Sequence, residues 1–197
     1  MRRNWITRGA AVAVTAGLAA MAAGCGEYVR NQGRAPAQLV ITELLAAAGE
    51  DGETGNTLLS DVITKGSVFN DNGSVAMRLI MKNPDASASP SPLNTVTINR
   101  YRVEYQRADG RNEPGRDVPH GFDSAVTFTV TESGGSAGFQ LVRHAAKQEA
   151  PLAALAANGS LISTIATVSF YGRDQAGNEV SVSGNIGIDF GNFADPD

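Results

Sequence analysis

The sequence of 197 residues predicts a mainly β protein, an antiparallel β-sandwich of about seven or eight strands with one short helix. Three observations support this fold class. From Gln38 onward, apolar residues recur at every second position, the spacing of a strand with one buried face. Turn-forming residues are frequent, with 22 Gly and 8 Pro. Helical spacing is confined to one stretch, 149–157 (EAPLAALAA), where Pro151 stands near the start.

The first strands follow a polar segment. Residues 38–45 (QLVITELL) form the first apolar run, and the second strand is expected within 58–69. The Asn-Gly pair at 72–73 predicts a hairpin turn, because glycine adopts positive φ at no steric cost. After this pair, one set of alternating residues is expected to face the core: Val75, Met77, Leu79 and Met81. The Pro/Ser-rich segment 83–92 cannot continue that strand.

The next predicted strand, 95–106, changes phase part-way along. Val96 and Ile98 have one parity, whereas the apolar residues that follow have the other: Tyr101, Val103 and Tyr105. A strand of period two that changes phase needs a bulge, which we expect near residues 99–100. Asp109-Gly110 predicts the turn after it.

Four more strands follow, and the final hairpin has the clearest alternation. One strand contains Val126, Phe128 and Val130, and the next contains Phe139 and Leu141. In the final hairpin, the predicted core residues of the first strand are Ala166, Val168 and Phe170. Those of the second strand are Val180, Val182, Ile186, Ile188 and Phe190. Gly184 interrupts this pattern and predicts either a bulge or a close crossing.

This hairpin carries a resemblance to a known fold. Residues 170–178 (FYGRDQAGN), followed by an alternating strand, are similar to the closing hairpin of bacterial immunoglobulin-like domains. The resemblance covers about 25 residues and implies an immunoglobulin-like β-sandwich over residues 38–197. It implies little about function, because one fold serves many functions.

The first 24 residues have the pattern of an export signal. Arg2, Arg3 and Arg8 form a positive segment, and the small apolar residues 9–24 follow it. That apolar run is short for a membrane span. Residues 22–25 (AAGC) resemble the lipobox of bacterial lipoproteins, which implies cleavage before Cys25 and lipidation of its thiol. Cleavage elsewhere, or an uncleaved anchor, is the alternative.

The lipoprotein resemblance implies a location. Residues 25–37 would be the lipidated cysteine and a short tether, and several acyl chains would anchor the protein firmly in a membrane. Gly26, rather than Asp, after the cysteine implies the outer membrane in a diderm host. Removing residues 1–24 removes three arginines and no acid, which leaves 13 basic and 20 acidic residues and a formal charge of −7. The lipid, rather than a basic surface, is therefore expected to hold the protein at the membrane. Export by either the general or the twin-arginine route stays open.

No catalytic or cofactor motif stands out. Cys25 is the single cysteine, and the two histidines, His120 and His144, are expected on the surface, the first in a loop and the second in a strand. No metal-binding histidine spacing and no phosphate-binding loop is present in the sequence. Three acidic segments could offer oxygen ligands to calcium, but none has the spacing of a calcium loop: 50–53, 71–73 and 195–197.

One hairpin concentrates basic residues. It carries five arginines, Arg100, Arg102, Arg107, Arg111 and Arg116. Four acidic residues lie among them, Glu104, Asp109, Glu113 and Asp117. We expect a solvated face with cross-strand ion pairs rather than an anion-binding site. The net charge of −4 for the whole chain also argues against a nucleic-acid partner.

The sequence thus predicts a non-catalytic, membrane-anchored accessory, assembly or binding module of the cell envelope, with no cofactor and an unidentified envelope protein as partner. A periplasmic enzyme without a recognisable motif is one alternative. An adhesive or surface-layer component is another.

Overall fold

Eight strands organise the part of the chain that the computed structural model describes, residues 33–49, 52, 54–83 and 89–193. The strands are β1 Ala37–Ala47, β2 Thr57–Asp61, β3 Asp71–Met81, β4 Val96–Gln106, β5 Phe122–Val130, β6 Gly135–Val142, β7 Ile162–Asp174 and β8 Glu179–Gly191. The mainly β fold class and the number of strands are therefore confirmed.

The strands form two sheets. One has three strands in the order β1-β3-β6, and the other has five in the order β2-β8-β7-β4-β5. All neighbouring pairs are antiparallel except β2 and β8, which run parallel. The expectation of a wholly antiparallel arrangement is wrong at this one edge, because β2 joins the five-stranded sheet beside the last strand of the chain.

A single apolar core lies between the two sheets. At its centre the ring of Tyr101 meets Phe139 at 5.3 Å between centroids, and Phe139 meets Phe170 at 5.3 Å. Two hydrogen bonds join β4 to β6 of the opposite sheet: Tyr105 Oη donates to the carbonyl of Leu141 at 2.7 Å, and Gln140 N donates to Tyr101 Oη at 3.1 Å. The tyrosines of β4 thus tie the five-stranded sheet to β6.

The predicted phase change in β4 is a register shift. It falls between Ile98 and Arg100 in the pairing with both neighbouring strands. Val96 and Ile98 before the shift are buried, and so are Tyr101, Val103 and Tyr105 after it. One extra residue is what allows both apolar sets to reach the same core.

The pairing of β7 with β8 is continuous, without a bulge. Gly184 is instead a close crossing, because a Cβ there would lie 2.9 Å from Ile41 Cδ1 and 3.0 Å from Leu44 Cδ2 of the opposite sheet. The parity predicted for β8 is therefore correct, and Ile186, Ile188 and Phe190 are buried.

The hairpin predicted at residues 72–73 is wrong. Both residues lie inside β3, opposite Gln140 and Phe139 of β6. The glycine is needed here for space rather than for a turn, because a Cβ on Gly73 would lie 2.4 Å from Phe139 Cζ. The residues predicted to follow the turn are nevertheless placed as expected, since Val75, Met77 and Leu79 are buried.

The second strand is shorter than predicted. It ends at Asp61, and a tight turn follows in which Lys65 and Gly66 both have positive φ. Thr64 and Ser67 close this turn by pairing their backbones. The apolar residues after Asp61 are consequently outside the sheet, although Val62 is still buried.

The helical content of the described residues is small. A 3-10 turn, Leu152–Ala154, runs into α2, Leu155–Asn158, within the segment that the sequence predicted to be helical. A further short helix, α1, His144–Lys147, follows β6 directly, so the expectation that His144 lies in a strand is wrong. None of the helices in the described part of the chain has the length and apolar character needed to cross a membrane.

The two ends of the structure differ. At one end lie the start of β1, the 3-10 turn Pro92–Asn94 and the β7–β8 loop, since Ala37 pairs with Met81 and Val96 pairs with Asp174. We call this the entry end. The opposite end, here called the far end, carries α1, α2 and the long β4–β5 connection, because Asp71 pairs with Val142 and Phe190 pairs with Ile162.

Candidate functional site

A buried ion pair lies at the far end. Lys147 Nζ of α1 is 2.8 Å from Asp71 Oδ1 of β3, and the two side chains are 1% and 0% exposed. Asp71 also accepts hydrogen bonds from Ser60 Oγ at 2.6 Å and from the backbone N–H of Gly49 at 3.0 Å. Lys147 Nζ donates a second bond to the carbonyl of Asp61 at 2.8 Å.

Both charged groups of this cluster have more than one partner. Burial raises the pKa of the Asp71 carboxyl, while the Lys147 ammonium and the hydrogen bonds oppose that rise. The pair joins β2, β3, α1 and the loop after β1, so it fixes how the far end is assembled. Among the described side chains, no buried polar atom lacks a partner. The cluster is therefore built to hold structure, since both charged groups are buried and already bonded to the protein.

Sequence reasoning missed this pair. It placed Asp71 in an acidic loop and did not single out Lys147, which is 76 residues further along the chain. The sequence carried no signal for it, because Lys147 stands in a mostly polar segment, 143–149 (RHAAKQE), as an ordinary surface lysine would. The pair forms because α1 lies against the start of β3, where Asp71 is the first residue.

The arginine-rich hairpin forms ion pairs, as the sequence predicted, but only those with Asp123 cross from one strand to another. Arg100 and Arg102 both contact Asp123 of β5, at 2.8 and 2.6 Å. Arg107 and Arg111 both contact Asp109, at 2.6 and 2.7 Å. Arg116 pairs with Glu113 and Asp117, and Arg102 also pairs with Glu104. Since each of the five guanidinium groups has a carboxylate partner, the hairpin is not an open anion-binding site.

The two histidines are both exposed. His120 lies in a loop, as predicted, and His144 Nδ1 lies 3.0 Å from Asn70 Oδ1. In the described ranges, neither imidazole is hydrogen-bonded to a carboxylate, the contact that orients and polarises a catalytic histidine. Nor do three or more His, Cys, Asp or Glu side chains gather there in a way that could hold a metal ion.

Two shallow clefts flank the loop before β5. The first, of about 370 Å³, is lined by residues of β4 and of this loop, among them Glu104, Tyr105 and Pro119. The second, of about 220 Å³, includes His120, Arg143 and Glu149. Arg143 of this second cleft already has two partners. Its guanidinium stacks on the Phe122 ring at 3.8 Å and donates to the carbonyl of Asp123 at 3.0 Å.

A third cleft lies on the outer face of the five-stranded sheet, at the entry end. It has a volume of about 330 Å³ and surrounds Tyr171. The guanidinium of Arg100 stacks on the Tyr171 ring at 4.1 Å, and Arg173 pairs with Glu179 at 2.9 Å. Since Arg100 also pairs with Asp123, both cations have a carboxylate partner, and the surface is polar but offers no strong electrostatic attraction for a ligand.

Several predicted positions lie outside the described residues. They include Cys25 with the whole signal segment, most of the acidic loop 50–53, and the terminal segment 195–197. The third acidic segment, 71–73, is within β3, where Asp71 is bound to Lys147. That segment is consequently not a calcium loop.

Comparison of the chain with protein-family models and with curated proteins gives no match.

Proposed function

We propose that this protein is a lipid-anchored component of the bacterial cell envelope, acting there as a non-catalytic accessory, assembly or binding module. The observation that carries the proposal is the sequence Ala22-Ala23-Gly24-Cys25, in which the sole cysteine follows an apolar run with a basic start. Acylation of that thiol would fix the folded domain to the membrane, or to the outer membrane in a diderm host.

The fold component of the proposal is an immunoglobulin-like sandwich. Its support is the order of strands, β1-β3-β6 in one sheet and β2-β8-β7-β4-β5 in the other. If β1 is taken as strand A, this order corresponds to A-B-E and to A′-G-F-C-C′ of that fold. The parallel pairing of β2 with β8 further supports the assignment, because it places an A′ strand beside strand G.

The experiment that tests the anchor compares the native protein with the Cys25→Ser variant. Mass spectrometry of the protein purified from membranes should find an acylated Cys25 as the first residue, and the native protein should partition into detergent. The Cys25→Ser variant should stay an uncleaved precursor or leave the membrane fraction, because it lacks the thiol.

Gly26→Ser is the matched control, since it changes the neighbouring residue and keeps the thiol. That variant should partition like the native protein. An unmodified cysteine in the native protein would show that the anchor proposal is wrong.

A further inference from the structure

Three large apolar side chains are exposed together at one corner of the five-stranded sheet. Leu59, Leu161 and Ile165 are 57%, 54% and 50% exposed. Leu59 lies on β2, opposite Asp189 of β8, and Ile165 lies on β7, opposite Gly187 of β8. Because Ile188 and Phe190 face the core, the odd-numbered residues of β8 face outward, on the same surface as these side chains.

The outer surface of the sheet is flat at this corner, because β8 has glycine on this face. Gly187 has no side chain between Thr57 and Ile165, its partners on the two flanking strands. Gly191 follows two residues after Asp189 on the same face. The side chains of Leu161 and Phe193 cover it, at 3.2 and 3.1 Å from the position that a Cβ would take. We name the surface formed by Leu59, Leu161, Ile165, Asp189 and Phe193 the far-end patch.

Asp189 stands in the middle of the far-end patch. Its carboxylate has neither a hydrogen bond nor an ion pair within the described residues. The other acidic side chains on this face of the sheet are engaged. Arginines pair with three of them, Glu104, Asp123 and Glu179, and Asp61 accepts bonds from Thr64 and Phe193. An unpaired carboxylate set among exposed apolar side chains is thus specific to this corner.

We propose that the far-end patch docks a protein segment that presents one arginine or lysine between apolar side chains. The cation would pair with Asp189, and the flanking side chains would cover Leu59 and Ile165. Burying these leucine and isoleucine side chains supplies affinity, whereas the ion pair supplies orientation and selectivity. Of the four large apolar side chains that are exposed among the described residues, three lie at this corner, and such groups of exposed apolar side chains mark interaction sites.

A second copy of the chain does not fit this surface. A two-fold symmetric contact would bring the two patches together and would place Asp189 opposite its own copy. Two buried carboxylates at short range repel each other, so the charge selects a cationic partner.

The test uses the full chain, purified in detergent, as bait for a phage-displayed library of random 12-residue peptides. The enriched peptides should share an arginine or lysine flanked by apolar residues. Their affinity should fall by about tenfold or more in Asp189→Asn and in Ile165→Asp, because each variant removes one half of the contact. Added salt should weaken binding to the native protein more than to Asp189→Asn.

Two matched controls separate the patch from general effects. Glu104→Gln removes an exposed carboxylate from the same face, and Leu93→Asp changes an exposed leucine at the entry end; neither should alter peptide binding. Leu59→Asp provides a second patch variant, and thermal melts establish that each variant is folded. The proposal is overturned by the absence of enriched peptides, by enriched peptides without a basic residue, or by unchanged affinity in Asp189→Asn.

This inference rests on the binding role in the proposed function, but not on acylation. Loss of peptide binding leaves the mass of Cys25 unaffected, and an unmodified cysteine leaves the peptide result unaffected. The two proposals therefore fail separately.

Discussion

Phe190 and Asp189 are neighbours on β8 with opposite surroundings. Phe190 is fully buried, with its ring 6.0 Å from that of Tyr105, whereas Asp189 faces outward. Phe190→Ala is expected to lower the free energy of unfolding by about 3–5 kcal/mol, because it leaves a cavity between the sheets. Asp189→Ala should stay within about 0.5 kcal/mol of the native protein. Denaturant unfolding of both variants measures the difference, and equal midpoints would contradict the burial of Phe190.

The Asp109 carboxyl is expected to make the stability of the protein depend on pH. The guanidinium of Arg107, followed by that of Arg111, holds the pKa of the Asp109 carboxyl well below its ordinary value of 3.8. Since the folded-state pKa is lowered, the stabilisation from this carboxylate is present above pH 3.8 and is lost as the pH falls through the folded-state value. An NMR titration should find the Asp109 midpoint well below 3.8, and Arg107→Gln should raise it. A native midpoint near the ordinary value would show that these ion pairs do not persist in solution.

At the scale of the strand, two glycines on neighbouring strands differ in the space around them. A Cβ on Gly172 of β7 would lie 2.3 Å from the carbonyl oxygen of Thr97, a backbone atom of β4 that cannot rotate away. A Cβ on Gly187 of β8 would meet only the side chain of Thr57, at an ordinary 3.6 and 3.8 Å. Gly172→Ala should therefore cost about 1–3 kcal/mol, whereas Gly187→Ala should be neutral or stabilising by about 0.4–1 kcal/mol. Thermal unfolding of both variants compares them, and equal loss in the two would contradict the close contact of β7 with β4.

The buried pair between β3 and α1 is best tested as a double-mutant cycle. Lys147→Met leaves the Asp71 carboxyl buried without its cation and is expected to cost about 3–5 kcal/mol. Asp71→Asn leaves the ammonium without its counter-charge. The double variant should lose clearly less than the two single losses combined, because neither charge then stays unpaired. Additive losses in denaturant unfolding would show that the two side chains do not interact.

The alternation of apolar residues within a strand correctly predicted features that depend on that strand alone. The bulge of β4 followed from the parity of Val96 and Tyr101, and the burial of β8 followed from its alternation. The Asn-Gly pair at 72–73 failed because its glycine serves a contact with Phe139, which is far along the chain. The parallel pairing of β2 with β8 is non-local in the same way, with 130 residues between paired positions such as Thr57 and Gly187. No short-range pattern encodes either contact.

The candidate sites also differ in whether their residues are close together in the sequence. Ion pairing of the arginine hairpin was predictable, because opposite charges alternate within one stretch of sequence. Asp71 with Lys147, and Asp189 among Leu59 and Ile165, were not, since each set is assembled from separate strands. Cys25 stays a prediction of the sequence, because it lies outside the described residues.

For the whole molecule, an anchor at Cys25 would impose an orientation. Ala35 is already buried, so at most residues 26–34 would separate the anchor from the fold, a distance of no more than about 30 Å. The chain enters the fold at the start of β1, at the same end as the turn that holds the exposed Leu93. The entry end should therefore lie nearer the bilayer, and the far-end patch should face away from it.

Fluorescence quenching can measure this orientation. Since acylation would consume the native cysteine, Leu93→Cys and Ala157→Cys each introduce one labelling site, at the entry end and in α2 at the far end. Both positions are exposed, so a fluorophore should not disturb the core. In vesicles that contain nitroxide-labelled lipid, the label at residue 93 should be quenched more strongly than the label at residue 157, because quenching falls steeply with distance from the bilayer. Equal quenching would mean that the tether lets the domain turn freely, and stronger quenching at residue 157 would place the far-end patch against the membrane instead of a protein partner.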